Sequence, residues 1–423
     1  METYSANSRQ PDRYRADLLA IYQAALARVA GDRAVFRWLK AHEPDPTPRA
    51  VVAIGKAAPA MMLGASKALG NRLAAGLVIT RKGHVDSRLQ GNPAIVQVES
   101  AHPVPDASSL EAGEHLLHFI ASQPGNRPLL FLLSGGTSSL VEVLPEDRSL
   151  EDLQALNRWL LASGLDICSM NLIRSRLSRI KGGQLRRFLD GREAQALLIS
   201  DVPGDDPAFV GSGLLYPPPG EASLPRLPAS LSDILVEPCF PEDTGIPHHI
   251  VAANSEAVAA AVETARRLGY QTAAGFPFLE GDAADRGRAF GRYMSQAEPG
   301  VYVMGGETTV KLPPSPGRGG RSQHLALAAA GEIRGREDIL ILAAGTDGSD
   351  GASDDAGALV DGGTWQRAAD EGLDPLHALA VADSGSLLEA TGDLVHTGLT
   401  GTNVMDLLIG LRVPVSKENS GKV

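Results

Sequence analysis

The sequence of 423 residues has few cysteines, few aromatic residues and a deficit of positive charge. Its two cysteines, Cys168 and Cys239, form no C-x-x-C pair, so neither a disulfide framework nor a zinc site is indicated, and both are interpreted as reduced core thiols. Aromatic residues make up only 4% of the chain, so a large core must be mostly aliphatic. The 39 Lys and Arg against 50 Asp and Glu give a net charge of −11, which excludes a general affinity for nucleic acid.

The sequence also lacks a long hydrophobic run. The longest apolar stretch, around residues 339–344, has the length of a strand, whereas a membrane-spanning helix needs about 18 apolar residues. The first residues carry charges and amides where a secretory signal would be apolar. We therefore expect a cytoplasmic protein that does not bind membranes and whose ligands are small molecules.

Short aliphatic runs that alternate with helix-length segments dominate the sequence from residue 50 onward. Continuous runs of four or five aliphatic residues are typical of strands buried on both faces. Helices are predicted between them, and Ser149 with Asp152 forms a capping-box pattern at the start of one helix. The predicted strands are 51–54, 77–80, 94–98, 129–133 and 196–199, and the predicted helices are 57–69, 108–122 and 150–163. The alternation predicts a parallel sheet covered by helices on both sides.

A proline-rich segment at 216–228 is the best candidate for a linker between two domains. The alternation restarts with an apolar run at 250–253, and a final short helix is expected after the hydroxyl-rich loop at 397–403. We predict a larger α/β domain over residues 1–245 and a second α/β domain over residues 246–423. This prediction allows the last 20 or so residues to pack against the first domain.

The loops that follow the predicted strands of the first domain carry candidate ligand-binding residues, because open α/β sheets bind ligands beyond the carboxyl ends of their strands. Lys56 follows the first strand, a glycine- and hydroxyl-rich segment at 134–139 follows the fourth, and Asp201 follows the fifth. A lysine near a helix start can hold an anion, and glycines allow the backbone to approach one closely. A solvated lysine, a tight turn and a capping aspartate are the ordinary alternatives.

The second domain offers a matching set. Arg321 follows three glycines at the start of a predicted helix, where a bidentate contact with phosphate or carboxylate is favourable. Asp347 follows the apolar run 339–345 in an acidic loop whose spacing does not fit a twelve-residue calcium loop. Cationic side chains, glycine loops and strand-end aspartates are together the groups that phosphoryl transfer requires.

Ten motifs, in order, resemble those of the class II glycerate kinases, the glycerate 2-kinase family with a distinctive C-terminal domain. They are GKAA, SAHPVPD, SGGTSSL, RLSRIKGGQL, SDVPGDDP, AANSEA, GGETTV, GRGGR, GTDGSDG and TGTNVMDLL, and they cover residues 50 to 410 or so. The resemblance implies ATP-dependent phosphorylation of D-glycerate to 2-phosphoglycerate with Mg²⁺. It also implies a Rossmann-like α/β/α sandwich and a smaller α/β domain, with the active site in the cleft between them; a homodimer is compatible with the sequence.

The same resemblance assigns roles by position. Lys56 and Arg321 are the expected active-site cations, and Asp201 and Asp347 are the expected carboxylates for catalysis and for the metal. The expected nucleotide- or substrate-binding residues are Ser134, Gly135, Gly136, Thr137, Glu307, Gly319, Gly320, Thr346 and Asn403.

Several positions depart from the family pattern. Thr137, Ser322 and His324 replace glycine, asparagine and glutamate. Arginine stands at 174 and 176, around a segment where lysine or histidine is expected, and Leu399 replaces a proline. Such changes leave kinase chemistry in place but could suit a different hydroxy acid. Two other functions stay open. A hydroxypyruvate reductase would need a nicotinamide site, but the sequence has no G-x-G-x-x-G turn. A non-catalytic sugar-phosphate-binding module would need only the loop at 134–139.

Overall fold

The computed structural model describes residues 10–42, 45–165, 167–218, 224–238 and 245–414. Cys239, the side chain of Cys168 and part of the proline-rich segment lie outside these residues. The helices are α1 (Gln10–Val29), α2 (Gly31–His42), α3 (Ala58–Leu69), α4 (Ala107–Ala121), α5 (Thr137–Leu140), α6 (Leu150–Ser163), α7 (Ile167–Ser175), α8 (Ala229–Ser232), α9 (Asn254–Arg267), α10 (Ala283–Gln296), α11 (Arg321–Glu332), α12 (Thr364–Asp370), α13 (Pro375–Ala380) and α14 (Ser384–Ala390).

The strands belong to two six-stranded sheets. They are β1 (Arg49–Ile54), β2 (Leu73–Arg81), β3 (Ile95–Ser100), β4 (Leu129–Leu133), β5 (Ala194–Ile199), β6 (His248–Ala252), β7 (Thr272–Ala273), β8 (Gly300–Gly306), β9 (Ile339–Gly345), β10 (Gly357–Asp361), β11 (Leu394–Val395) and β12 (Asp406–Arg412). Among the described residues, no helix is both long enough and apolar enough to cross a membrane.

The first sheet is entirely parallel, which confirms the predicted architecture. Its strand order is β3-β2-β1-β4-β5-β6, the order of a Rossmann fold, with the reversal between β1 and β4. Strands β1 and β4 are buried along their whole length, as their aliphatic runs predict. Its core includes Val52, Ile54, Leu116, Phe131 and Leu198. We call the compact unit built on this sheet, residues 29–253 and 401–404, the parallel-sheet unit.

The second sheet is mixed. Its order is β11-β10-β9-β12-β8-β7, and β12 lies antiparallel to both β8 and β9. The prediction of a short helix after the loop at 397–403 is therefore wrong, because the residues that follow the loop form the central strand β12. Six of its seven residues are buried, and periodicity cannot distinguish such a continuous apolar run from a buried helix. We call the unit built on this sheet, residues 10–28, 254–400 and 405–414 of the described chain, the mixed-sheet unit.

The division of the chain differs from the predicted boundary at 245/246 in three places. Strand β6 was expected to open the second domain, but it pairs in parallel with β5 as the edge strand of the first sheet. Residues 401–404 belong to the parallel-sheet unit, and α1 up to Arg28 belongs to the mixed-sheet unit. Residues 415–423, which form much of the segment expected to be able to pack on the first domain, lie outside the described residues. An aliphatic run predicts a strand but not the sheet that it joins.

Helix α1 is held on the mixed-sheet unit by polar contacts. Arg15 forms ion pairs with Asp361 at 2.9 Å and with Asp393 at 3.1 Å, and Asp393 is almost completely buried. Tyr22 is fully buried, and its hydroxyl donates a hydrogen bond to Gly345 O at 2.5 Å, at the end of β9. These contacts attach α1, which comes before the first sheet in the sequence, to the second sheet.

Candidate functional site

Three neighbouring strands of the parallel sheet end beside one another at the edge where such folds bind ligands. Strand β1 lies next to β4, and β4 lies next to β5. The crevice beyond the carboxyl ends is expected at the strand-order reversal between β1 and β4. The structure therefore brings together, within one unit, the predicted residues Lys56, Ser134, Gly135, Gly136 and Asp201, and contacts described below add Asn403.

Gly135 is the point of closest approach in this group. A Cβ atom at this position would lie 1.9 Å from Asp201 Oδ2 and 2.3 Å from Asn403 Nδ2. Asn403 Nδ2 in turn donates a hydrogen bond to Asp201 Oδ2 at 3.2 Å. Only glycine allows the backbone after β4 to lie directly against this carboxylate.

Lys56 is held against the same loop by the backbone. Its N–H donates to Gly135 O at 2.9 Å, and Ser134 Oγ accepts a hydrogen bond from Ala57 N at 3.1 Å. Gly55 has φ of +127°, and a Cβ there would lie 2.2 Å from Ser134 Oγ, so the turn that presents Lys56 requires glycine. The lysine position is thus determined by packing between two strand-end loops.

Thr137, at the start of α5, uses its hydroxyl inside the fold. Oγ1 lies 2.7 Å from Ser134 O and 3.0 Å from Ile54 O, and the residue is fully buried. Its side chain therefore stabilises the glycine-rich loop from behind.

The departures at Ser322 and His324 are also buried. Ser322 N donates to Asp350 Oδ1 at 3.1 Å, and His324 Nδ1 lies 3.1 Å from Ser384 Oγ. Burial lowers the pKa of His324, which favours the neutral imidazole. These contacts give no support to the hypothesis that the departures change the substrate.

Arg321 opens α11 in the mixed-sheet unit and is surrounded by carboxylates. Its Nε donates to Asp406 Oδ2 at 2.6 Å and its Nη2 to Asp406 Oδ1 at 3.0 Å, a bidentate pair. Its Nη1 forms an ion pair with Glu307. Burial alone would lower the pKa of Arg321, but Asp406 and then Glu307 outweigh it and raise the pKa. The predicted cation is therefore already neutralised by two acidic partners.

A third carboxylate, Asp350, holds the start of α11. Its oxygens accept hydrogen bonds from Ser322 N at 3.1 Å and Gln323 N at 2.7 Å. Burial and then the charge of Asp406 raise the pKa of Asp350 to about 7. A Cβ at Gly320 would lie 2.3 Å from Asp350 Cγ, so this predicted residue allows the carboxylate to cap the helix.

The remaining predicted residues of this unit lie in turns at strand and helix ends. Asp347 Oδ1 accepts hydrogen bonds from Ser349 N at 3.0 Å and Ser349 Oγ at 3.1 Å. Thr346 Oγ1 donates to Met405 O at 2.7 Å. Gly319 has φ of +136°, and a Cβ there would lie 2.8 Å from Gly385 N.

Three residues with a place in these clusters were not predicted. Asp406 and Asp350 lie inside quoted motifs, and that position was the available signal. His102 lies 3.1 Å from the position of a Cβ on Gly136 and lines a cavity of about 450 Å³ with Arg81 and other residues after β2 and β3.

The carboxylates predicted to bind Mg²⁺ can be judged by the ligands that the ion prefers. No group of three or more His, Cys, Asp or Glu side chains suited to a metal occurs in the part of the chain that the structure describes. Mg²⁺ in phosphoryl-transfer sites is commonly held by one or two carboxylates together with substrate phosphates. Asp201 in the parallel-sheet unit and Asp347 in the mixed-sheet unit each supply oxygen ligands of that kind.

The chain matches known proteins over nearly its whole length. Residues 17–226 match a domain of unknown function, DUF4147, and residues 300–406 match the MOFRL family. The chain is 33% identical to the D-glycerate 2-kinase of Thermotoga maritima, over 95% of this chain and 99% of that protein. An Agrobacterium vitis protein named "Putative hydroxypyruvate reductase" is 37% identical over 84% and 85% of the two chains.

A solved structure resembles this fold closely. The crystal structure of glycerate kinase from Thermotoga maritima matches with a TM-score of 0.82 and 32% identity, and it covers 95% of this chain and 100% of its own. The likeness extends over both sheets.

Proposed function

The chain belongs to the glycerate kinase family with a C-terminal MOFRL domain, and from this membership we propose that it phosphorylates D-glycerate on the 2-hydroxyl with ATP and Mg²⁺. The observation that carries the proposal is the contact of Gly135 with Asp201 and Asn403 beside Lys56. It joins a carboxylate, a cation and a glycine loop at one sheet edge, which are the groups that phosphoryl transfer requires.

The roles proposed in the parallel-sheet unit follow from their chemistry. Asp201 orients or deprotonates the accepting hydroxyl, and Asn403 fixes the direction of its carboxylate through the 3.2 Å hydrogen bond. Lys56 neutralises charge on the transferred group. The glycine loop at 134–136 allows close backbone approach to an anion.

In the mixed-sheet unit we propose that Arg321 and Asp347 serve the same turnover. Asp406 fixes the guanidinium of Arg321 through two hydrogen bonds, so the arginine enters the reaction with its plane already oriented. An incoming anion would take the place of Glu307 at Nη1. Bound Mg²⁺ would neutralise phosphate charge, and one of the two carboxylates, Asp201 or Asp347, is proposed to hold it.

The test is turnover of D-glycerate with MgATP. We expect ADP release, and phosphorus NMR of the product should show a doublet, because a 2-phosphate is attached to a CH group and a 3-phosphate to a CH₂ group. Lys56→Ala and Arg321→Ala should abolish turnover while circular dichroism stays unchanged. Lys67→Ala is the matched control, since Lys67 is exposed in the last turn of α3.

Two other results would overturn the proposal. Oxidation of NADH or NADPH with hydroxypyruvate, without ADP release from glycerate, would indicate a reductase. Binding of sugar phosphates without any turnover would indicate a non-catalytic module. Near-normal kcat/KM in the Lys56→Ala or Arg321→Ala enzyme would refute the assigned residues while leaving the reaction in place.

A further inference from the structure

Arg174, near the end of α7, forms no ion pair with a carboxylate of the described residues. Its guanidinium makes one hydrogen bond there, from Nη1 to Asn171 Oδ1 at 3.2 Å, and Nε is buried without an acceptor. Burial lowers the pKa of Arg174, with Glu142 acting in the opposite direction, but an arginine stays protonated in proteins. The side chain is therefore a half-buried cation with unused donors.

The carboxylate that acts on Arg174, Glu142, already accepts hydrogen bonds from other groups. Glu142 is buried, and its Oε2 accepts a hydrogen bond from Lys181 Nζ at 2.5 Å while its Oε1 accepts one from Ser178 Oγ at 2.5 Å. This interior cluster thus contains one carboxylate and two cationic side chains. Because an uncompensated buried charge is costly, an anion from outside the chain would complete the balance.

Asn171 adds a second donor of the same kind. Its Oδ1 accepts from Arg174 and from Ser212 Oγ, the latter at 2.9 Å, which fixes the orientation of the amide because an arginine can only donate. Nδ2 is left as a donor, and it is buried without a partner in the described structure. Asn171 is 4% exposed, so this N–H does not find its acceptor in bulk water.

The cluster is connected to the glycine-rich loop by hydroxyl groups. Ser212 Oγ lies 2.7 Å from Ser138 Oγ. Ser138 is the second residue of α5, the short helix that follows the glycine loop at 134–136. Ser212 has φ of +59° between two glycines of similar φ, a left-handed conformation in which glycine would be less strained than serine. The hydroxyl of Ser212 is the feature that a third glycine could not provide.

We propose that Arg174 and Asn171 form an anion-binding subsite beside the glycine-rich loop, which takes a carboxylate or phosphate group of a substrate of the proposed kinase. Ser212 and Ser138 are positioning residues, since they act on the ligand through Asn171. The inference rests on the proposed function for the identity of the ligand. The shared chemistry is a compact oxyanion, supplied either by the hydroxy acid or by the nucleotide.

The test uses the full chain and the Arg174→Gln variant. Isothermal titration calorimetry with D-glycerate, and separately with a non-hydrolysable ATP analogue, should show at least a tenfold loss of affinity for one of the two ligands. The KM for the same substrate should rise by a similar factor, and the other KM should stay within twofold. The ligand affected identifies which anion the subsite takes, and Arg174→Lys should recover part of the loss because it restores charge without the planar fork.

The matched control is Arg176→Gln. Arg176 lies two residues away, but its charge is already paired with Glu237 at 2.6 Å, so both affinities should be unchanged. Unchanged affinity for both ligands in Arg174→Gln would overturn the subsite, and so would an equal loss in Arg176→Gln.

A second variant separates binding from folding. Ser212→Gly relaxes the left-handed residue and removes the linking hydroxyl, so we expect equal or higher thermal stability with a severalfold increase in the affected KM. A change in stability with no change in KM would assign Ser212, and the cluster with it, a purely structural role. If the wild-type chain shows no kinase turnover but binds inorganic phosphate through Arg174, the proposed function fails while the subsite stands.

Discussion

Replacement of Gly135 by alanine tests the geometry at the end of the parallel sheet most directly. The new Cβ would lie 1.9 Å from Asp201 Oδ2, whereas Cβ atoms in real structures stay beyond 3.0 Å from such neighbours, so the carboxylate must retreat by about 1 Å or more. Misplacement of a reacting group by about 1 Å costs on the order of 100-fold in rate. We therefore expect kcat/KM for glycerate to fall by about 100-fold, equivalent to about 2.7 kcal/mol of transition-state stabilisation.

The control for this experiment is Gly91→Ala. Gly91, like Gly135, lies outside the left-handed region, but a Cβ there would meet nothing within 4 Å. Coupled-enzyme detection of ADP gives kcat and KM for both variants, and thermal unfolding should show a loss of about 1–3 kcal/mol from overpacking in Gly135→Ala alone. If Gly135→Ala retains kcat/KM within threefold of wild type, the position of Asp201 does not limit the reaction and our reasoning about this loop is wrong.

Two further predictions concern the mixed-sheet unit. Tyr22→Phe should destabilise the protein by about 1 kcal/mol in thermal unfolding, because it removes the hydrogen bond to Gly345 O. Tyr216→Phe should cost nothing, since the buried Tyr216 hydroxyl has no hydrogen-bond partner among the described residues, and equal losses in the two variants would contradict this. Because the pKa of Asp350 is raised to about 7, the contribution of this residue to stability is greatest in acid and is lost as the pH rises from about 4 to about 7. The melting temperature of the wild type should therefore fall more steeply over that pH range than that of Asp350→Asn. Parallel profiles of the two proteins would refute this prediction.

The regular parts of the fold could be predicted because their signals are local. Strand β4 has the predicted bounds 129–133, and Ser149 caps α6 in a capping box with Asp152 as expected. The failures concern long-range pairing. Strand β12 forms only because β8 and β9 offer it two partners, and β6 joins the first sheet although it follows the proline-rich segment. Neither partner is encoded in the segment itself.

For the candidate site, strand-end position was a good guide to which residues lie together in the parallel-sheet unit. It could not show what each side chain contacts. Arg321 was predicted as an available cation, yet Asp406, 85 residues later, binds it with two hydrogen bonds. The sequence also could not show that Arg174 lacks an ion-pair partner among the described residues, because Glu142 pairs with Lys181 instead.

The position of β12 between β9 and β8 has a consequence for biosynthesis. The ribosome makes this strand after all the others described, so until it emerges β8 and β9 each present an unpaired edge to the surrounding solution. Helix α1 is made more than 300 residues before its partners Gly345 and Asp361, so its contacts with them form only after those residues have also been made. A nascent chain that does not yet contain β12 therefore offers two unpaired strand edges to which other chains could pair.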